Sequence, residues 1–395
     1  MHIAFVLMGA FGHVNPTLPI AAEMVKRGIR ISYFTTEPFR KKVEATGAAF
    51  YPVTSRMASA KADPGADMMA GLPAVFLDEA DGMIEEILEV LKKDRPDAVV
   101  HDFASMAGTL AAASLKVPDI EIFQSYPSSP VLSNAAPFLT VPDTHPARVK
   151  AAALAKKFTE KYHAKYLSVK EIFDGFGDFN VVTMQKRFVP GAETFDSNVV
   201  FTGVQIGERD SNIDWKFPEN GLPLIYFSLG TVFNSWPDIF PILFDAVRDM
   251  EVNVIAAVPE SIDKKYLQDI PANVTCASYM PQLKILEKAD LFITHGGAGG
   301  MGEAVYFGVP MIDIPQMPEQ AMTAARVEKM GLGVDFPDKS KVTSASLKEA
   351  IVKVLRDEKI RKTMEEFSAD MKALGGTKAS ADAIQNYVEK TMTES

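Results

Sequence analysis

Cysteine is almost absent from this sequence. Cys276 is the single one, so no intrachain disulfide can form and nothing argues for an oxidising compartment. Its side chain reads as a small buried hydrophobe. Positive charge is also short: 41 Lys and Arg stand against 51 Asp and Glu, a formal net charge of −10. Such a surface lacks the basic footprint that nucleic acids require. No apolar run approaches the roughly 18 residues of a membrane span. The apolar start, Met1 to Met8, has no basic segment before it and is interrupted at once by Gly9, Gly12 and His13. That marks a buried first strand and not a secretory signal. The expectation is a cytoplasmic protein with no nucleic-acid and no membrane partner. H-x-x-x-H, C-x-x-C and Asp-x-Asp are all missing, so neither a metal site nor a metal-bridged diphosphate is indicated. G-x-S-x-G is missing too, which counts against an α/β-hydrolase.

What is present fits an ordinary globular chain, 47% hydrophobic and 23% charged. Its 395 residues exceed one comfortable core and suit two domains. Short apolar runs alternate with amphipathic stretches. Strands are expected at 2–8, 30–35, 97–101 and 118–123, then at 222–228, 252–258, 273–277, 290–294 and 310–314. Near-continuous apolar runs of this length belong to parallel strands covered on both faces, the doubly wound α/β pattern. The rhythm breaks between Gly203 and Pro223, where glycine, proline and charge replace any sustained period. The division expected is a domain over 1–205, a linker over 206–222 and a second domain over 223–375. A C-terminal helix over 376–395, with Ala381, Ile384 and Val388 at helical spacing, is expected to pack back on the first domain.

Four groups of residues can carry chemistry. Gly12-His13-Val14-Asn15-Pro16 follows the first strand. Asn15 suits an N-cap and Pro16 a first helical position, which places His13 at a strand end before a helix. A neutral imidazole there is a general base, or else it fills a loop. His101-Asp102 closes another strand at the same sheet edge. Asp102 either fixes the tautomer of His13 or caps the helix starting near Ser105. Thr294 to Glu303 is a glycine-rich turn into a helix, whose backbone N–H groups suit a diphosphate. Its glycines also fit a dinucleotide fingerprint, but that fold wants an acid about 20 residues on and Asp313 comes too soon after Gly302, and a plain tight turn is the third reading. Finally, Gln316 to Gln320 offers paired Glu319 and Gln320 side chains that suit a polyol, or simply begin a helix.

Together these residues resemble the macrolide and flavonoid branch of the bacterial UDP-glycosyltransferases, inverting enzymes of the GT-B fold. The resemblance spans nearly the whole chain. Tyr279-Met280-Pro281-Gln282-Leu283, Phe292-Ile293-Thr294-His295-Gly296-Gly297 and Pro315-Gln316-Met317-Pro318-Glu319-Gln320 stand in the family's order and spacing, behind Gly12-His13-Val14-Asn15-Pro16. It implies two Rossmann-like domains facing across a cleft, the first for the acceptor and the second for the donor. It implies that His13 is the general base and Asp102 its partner. Met280 would meet the uracil ring, and Tyr279 would stack on it where many relatives have Trp. Gln282 and Glu303 would hold the ribose. Ser228, Gly230, Thr231, His295, Gly297, Gly299 and Gly300 would lie near the diphosphate, and Glu319 and Gln320 would hold the sugar.

One departure is marked. Where relatives continue His-Gly-Gly with Met-Asn-Ser-Thr, this chain has Ala298-Gly299-Gly300-Met301, which removes two phosphate-binding side chains. The activity implied is transfer of a hexose, glucose foremost, from a UDP-sugar to a hydroxyl of a flavonoid, macrolide or other phenolic. No cofactor or metal is implied, and a monomer or weak dimer is expected. A nucleotide-sugar-binding protein without turnover, or a sugar-nucleotide epimerase of the same architecture, is the alternative. Met57, Met68, Met69, Met83 and Met106 either shape a tolerant acceptor pocket or belong to the core.

Overall fold

The structure, a computed structural model, describes residues 1–57, 68–209, 213–230, 236–260, 262–278 and 280–394, with Met68 by its backbone alone. Thr231, Tyr279 and the Met68 side chain therefore lie outside the described residues. The apolar runs form strands: β1 (His2–Val6), β2 (Arg30–Thr35), β3 (Ala49–Pro52), β4 (Ala98–His101), β5 (Asp119–Phe123), β6 (Phe179–Val182) and β7 (Val199–Phe201). Every pairing is parallel, in the order β3-β2-β1-β4-β5-β6-β7. The second series is β8 (Leu224–Ser228), β9 (Asn253–Ala257), β10 (Val274–Ala277), β11 (Leu291–Thr294), β12 (Met311–Asp313) and β13 (Gly333–Asp335). It is also all parallel, in the order β10-β9-β8-β11-β12-β13.

All five residues of β1 and of β8 are buried, because helices cover both faces of each sheet. Side chains alternate across the strand. In β1, Ile3 and Phe5 join a layer with Ile20, Met24, Ile384 and Val388. Ala4 and Val6 join the opposite layer with Leu77, Ile84 and Leu110. In each sheet the order of connection reverses once, between β1 and β4 and between β8 and β11. Carboxyl ends at such a reversal are where open α/β sheets bind ligands.

The chain divides into two compact units, Met1–Gly207 with Leu374–Ser395, and Glu208–Ala373. The segment 206–222, read above as a linker, is split by this division. Beyond Gly207 it contributes contacts to the second unit, where the Ile213 carbonyl accepts from Lys284 Nζ at 2.7 Å. The C-terminal helix Gly376–Glu394 buries Ala381, Ile384 and Val388 within the first unit, and Arg27 Nη1 donates to Asp382 at 2.6 Å.

One local expectation fails. Asn15 does not cap a helix. Its backbone is right-handed helical, φ −54° and ψ −42°, and it ends the short turn Phe11–Val14, which contains His13. An N-cap needs extended backbone, and Ala10 supplies it there. The longer helix starts at Leu18, with Pro19 in its first turn. Met83 and Met106 are core residues, while Met57 is partly buried against the same core and Met69 is half-buried. No helix among the described residues is long and apolar enough to cross a membrane.

Candidate active site

The loops after β1 and β4 bring His13 and Asp102 together. His13 Nδ1 lies 2.5 Å from Asp102 Oδ2, with side-chain exposures of 20% and 0%. The other Asp102 oxygen, Oδ1, accepts from the Ser105 amide at 3.1 Å and from Ser105 Oγ at 2.7 Å. Ser105 Oγ in turn accepts from the Met8 amide at 2.8 Å, which ties β1 to the same network. One Asp102 oxygen orders the turn ahead of the helix Met106–Leu115, whose N-cap is Ser105, and the other contacts the histidine. Burial pushes the Asp102 carboxyl up, but His13, Ser105 and His101 outweigh it and hold the group below the usual carboxylate range. An ionised Asp102 accepts from His13 Nδ1–H, so the basic lone pair sits on Nε2. Gln124 Nε2, at the end of β5, donates to the His13 carbonyl at 2.9 Å and fixes the backbone of the turn.

His101 closes β4 but takes no part in this pair. Its Nε2 meets Asp119 Oδ1 on β5, and its Nδ1 lies 2.9 Å from the Asp102 carbonyl. Burial opposes its charge, but Asp119 outweighs burial and raises the imidazole to about 9. From His13 a row of rings runs through the first unit. Phe103 lies 5.9 Å from the imidazole, Phe76 lies 6.0 Å from Phe103, and Phe173 lies 5.9 Å from Phe76. Phe138 stacks on Phe173 at 4.0 Å. A separate cavity of about 400 Å³ opens among Met57, Val75 and Pro146, and no residue singled out for catalysis lines it.

In the second unit the carboxyl ends of β8 and β11 carry Ser228 and His295. The imidazole packs against the backbone of Gly230 and Gly297, where a Cβ would stand 2.8 Å from its Cε1 and 2.7 Å from its Nε2. Gly230 also has φ +81°, so glycine is required there twice over. Burial lowers His295 to about 4, so it is a neutral hydrogen-bonding group at pH 7. Gly297 is the extended N-cap of the helix Ala298–Phe307, and no side chain among the described residues is seen to cap that end. The Ala298, Gly299 and Gly300 amides are therefore the helix's own unsatisfied donors.

Glu303 lies one turn further along and is buried. Its Oε1 accepts from Arg209 at 2.9 Å and its Oε2 from Gln282 Nε2 at 2.5 Å. Tyr226 OH donates to Gln282 Oε1 at 3.3 Å. Met280 is buried beside this group in sequence. Gln320 is turned inward, its Oε1 accepting from the Gln316 amide at 2.8 Å, and so serves the loop, whereas Glu319 is exposed in the first turn of the helix Pro318–Lys329. Sequence reasoning missed Arg209, which carries no motif, and Ser105, which was weighed only as a helix start.

Asp313, too close to the glycine turn for a dinucleotide's ribose, ends β12. It is fully buried, and among the described residues neither carboxyl oxygen has a hydrogen-bond partner. Burial, then Asp335 opposite it in register, pushes its pKa well above the ordinary value; Asp335, pushed up chiefly by burial, reaches about 6. A carboxyl raised on folding keeps a proton that the unfolded chain releases above about pH 4. Each such proton makes stability fall by about 1.4 kcal/mol per pH unit until the native group ionises. Asp313→Asn removes the proton requirement while keeping the shape. It should melt higher at pH 8 and show a shallower loss of stability between pH 5 and 8. Melting curves over that range check this; parallel pH profiles for the two proteins would contradict it.

Two parallel doubly wound sheets, with a histidine–aspartate pair at one reversal point and a glycine turn into a helix at the other, are the arrangement of a glycosyltransferase of the GT-B fold. Residues 3–120 match the glycosyltransferase family 28 N-terminal domain, and residues 241–381 match the erythromycin biosynthesis protein CIII-like C-terminal domain. The chain is 36% identical to the NDP-glycosyltransferase YjiC of Bacillus subtilis (strain 168), over 99% of this chain and 98% of that one. It is 30% identical to the demethyllactenocin mycarosyltransferase of Streptomyces fradiae, over 98% of this chain and 86% of that one. The crystal structure of the kitacinnamycin glycosyltransferase superposes with a TM-score of 0.87 at 27% identity, over 98% of this chain and 99% of that one. The chain belongs to the bacterial macrolide-type UDP-glycosyltransferases.

Proposed function

We propose that this glycosyltransferase moves a hexose, glucose foremost, from a UDP-sugar to a hydroxyl of a small lipophilic acceptor, with inversion, in the cytoplasm and without a metal. The observation that carries the reading is the 2.5 Å contact between His13 Nδ1 and the buried Asp102 carboxylate. It fixes the tautomer that leaves Nε2 basic. His13 Nε2 takes the acceptor proton as the acceptor oxygen attacks the anomeric carbon, and the bond from that carbon to the diphosphate oxygen breaks. Attack opposite the leaving group turns an α-linked donor into a β-glycoside. Phe103, only partly buried and 5.9 Å from the His13 imidazole, supports a flat or lipophilic acceptor such as a flavonoid, macrolide or other phenolic.

Charge develops on the departing UDP. The uncapped amides of Ala298, Gly299 and Gly300 and the neutral His295 are donors suited to it. Glu303 and Gln282 suit the ribose hydroxyls, Met280 the base, and Ser228 and Gly230 the phosphate side of the loop. Mass spectrometry after incubation with a panel of UDP- and TDP-sugars and a phenolic acceptor tests the reading. It predicts an acceptor heavier by one hexosyl unit with the UDP-sugars; donor turnover into another sugar nucleotide, with no glycoside, would sink it.

The glycine departure is testable separately. Gly299 and Gly300 lie inside the helix at negative φ. A Cβ at Gly299 meets nothing within 4 Å, and one at Gly300 stands 3.5 Å from the Phe292 ring, an ordinary contact. Replacing them with Asn and Ser restores the relatives' side-chain donors without strain. At about 1.5 kcal/mol for each hydrogen bond to a charged group, UDP should bind roughly tenfold tighter with one bond regained and roughly a hundredfold with both. Titration calorimetry reads this, and unchanged affinity in a protein that melts normally would move the diphosphate off this loop.

A further inference from the structure

The second unit departs from its relatives at the place where phosphate is to be held, and the loss is one of polar side chains at Gly299 and Gly300. Of the described residues assigned above to the donor, none is a cation at neutral pH. His295 is neutral through burial, and Glu303 and Glu319 are acids. A diphosphate brought there meets backbone donors and two carboxylates.

Arg209 answers that imbalance. It stands just after the crossing between the two units and reaches Glu303, 94 residues away, with Nη2 to Oε1 at 2.9 Å. The two side chains are only 21% and 9% exposed. Helical side chains lean toward the helix N-terminus, and Glu303 follows Gly299 and Gly300 by four and three residues on the same helix. The guanidinium is bound to that carboxylate, and a Cβ on Gly299 would meet no atom within 4 Å. Gln282 Nε2 grips the other carboxylate oxygen at 2.5 Å and stops Glu303 from following the arginine elsewhere.

We propose that Arg209 binds the donor's diphosphate, supplying from the start of the second unit the charge and the donors that the glycine turn lacks; this rests on the donor-site reading above. A guanidinium carries five N–H donors in a rigid fork and stays charged in any protein. It can keep its bond to Glu303 while engaging phosphoryl oxygens, whereas a lysine offers one point of charge. Glu303 thereby has two tasks. It accepts from the ribose hydroxyls, and it steers the arginine toward the phosphates one turn away.

The rival account gives Arg209 only the structural task of orienting Glu303. The two separate on ligands that do or do not carry phosphate. The full-length protein, Arg209→Gln and Arg209→Lys are titrated by calorimetry with UDP and with uridine, beside melting curves. Arg209→Gln should weaken UDP about tenfold or more and uridine less than about threefold, with Arg209→Lys between. Adding Gly299→Asn and Gly300→Ser to Arg209→Gln should restore most of the UDP affinity, since those side chains reach the same anion. Equal losses for UDP and uridine would overturn the proposal and leave Arg209 an anchor for Glu303. Unchanged UDP affinity would overturn it as well. A wild-type protein that binds uridine and UDP not at all would instead remove the donor-site reading beneath it.

Discussion

His13→Ala should fold normally and lose transfer to alcohol acceptors by about 100-fold or more, the usual worth of a positioned base. The side chain is a fifth exposed and sits in a four-residue turn, so its removal opens no core cavity. Nucleotide affinity should not change, because every residue assigned to the donor lies in the other unit. The base matters least where the acceptor is already acidic, so a phenol of low pKa should keep more activity than an aliphatic alcohol. Initial rates with both acceptors, beside UDP titration, check this. Near-wild-type rates with the alcohol would take His13 out of the mechanism.

Asp102→Asn should cost about as much, for a different reason. Both carboxylate oxygens are used, Oδ1 by the Ser105 amide and hydroxyl and Oδ2 by His13. An asparagine can keep its oxygen toward Ser105, which places its amide N–H against His13 Nδ1. That forces the proton of the imidazole onto Nε2, where the acceptor's proton has to go, and withdraws the charge that stabilises the imidazolium. Turnover should therefore fall by about 100-fold or more while the melting temperature changes little. If stability dropped and turnover held, Asp102 would matter only through the turn it orders with Ser105.

The parallel strands were legible because helices cover both of their faces. Such strands are written as unbroken apolar runs, and β1, β2, β5, β8 and β11 fall where those runs lie. β3, β6, β7 and β13 were not anticipated. β3 is half-exposed, and β7 is only three residues long, so neither leaves a run. β13 begins with Gly333, an unpromising strand residue that is needed because a Cβ there would stand 2.0 Å from the Met311 carbonyl. The His13–Asp102 pair was legible as two strand-end motifs. The helix boundary beside it was not, since Asn15-Pro16 reads as a helix start while the fold uses Asn15 to end a turn. For Gln320 the structure adds a contact that its residue type does not announce: its Oε1 accepts from the Gln316 amide. Arg209 was illegible for a simpler reason. Its partner lies 94 residues away, and its own neighbourhood is rich in glycine, proline and charge.

Inverting transfer by the His13–Asp102 pair is the centre of this account, and proton NMR of a single reaction mixture tests it most directly. The wild-type protein is incubated with an α-linked UDP-hexose and a phenolic acceptor, and the anomeric region is followed with time. The account predicts a new glycoside with β configuration, growing in step with UDP and absent when His13→Ala is used with an aliphatic alcohol. An α-configured product, or UDP released without any glycoside, would contradict it.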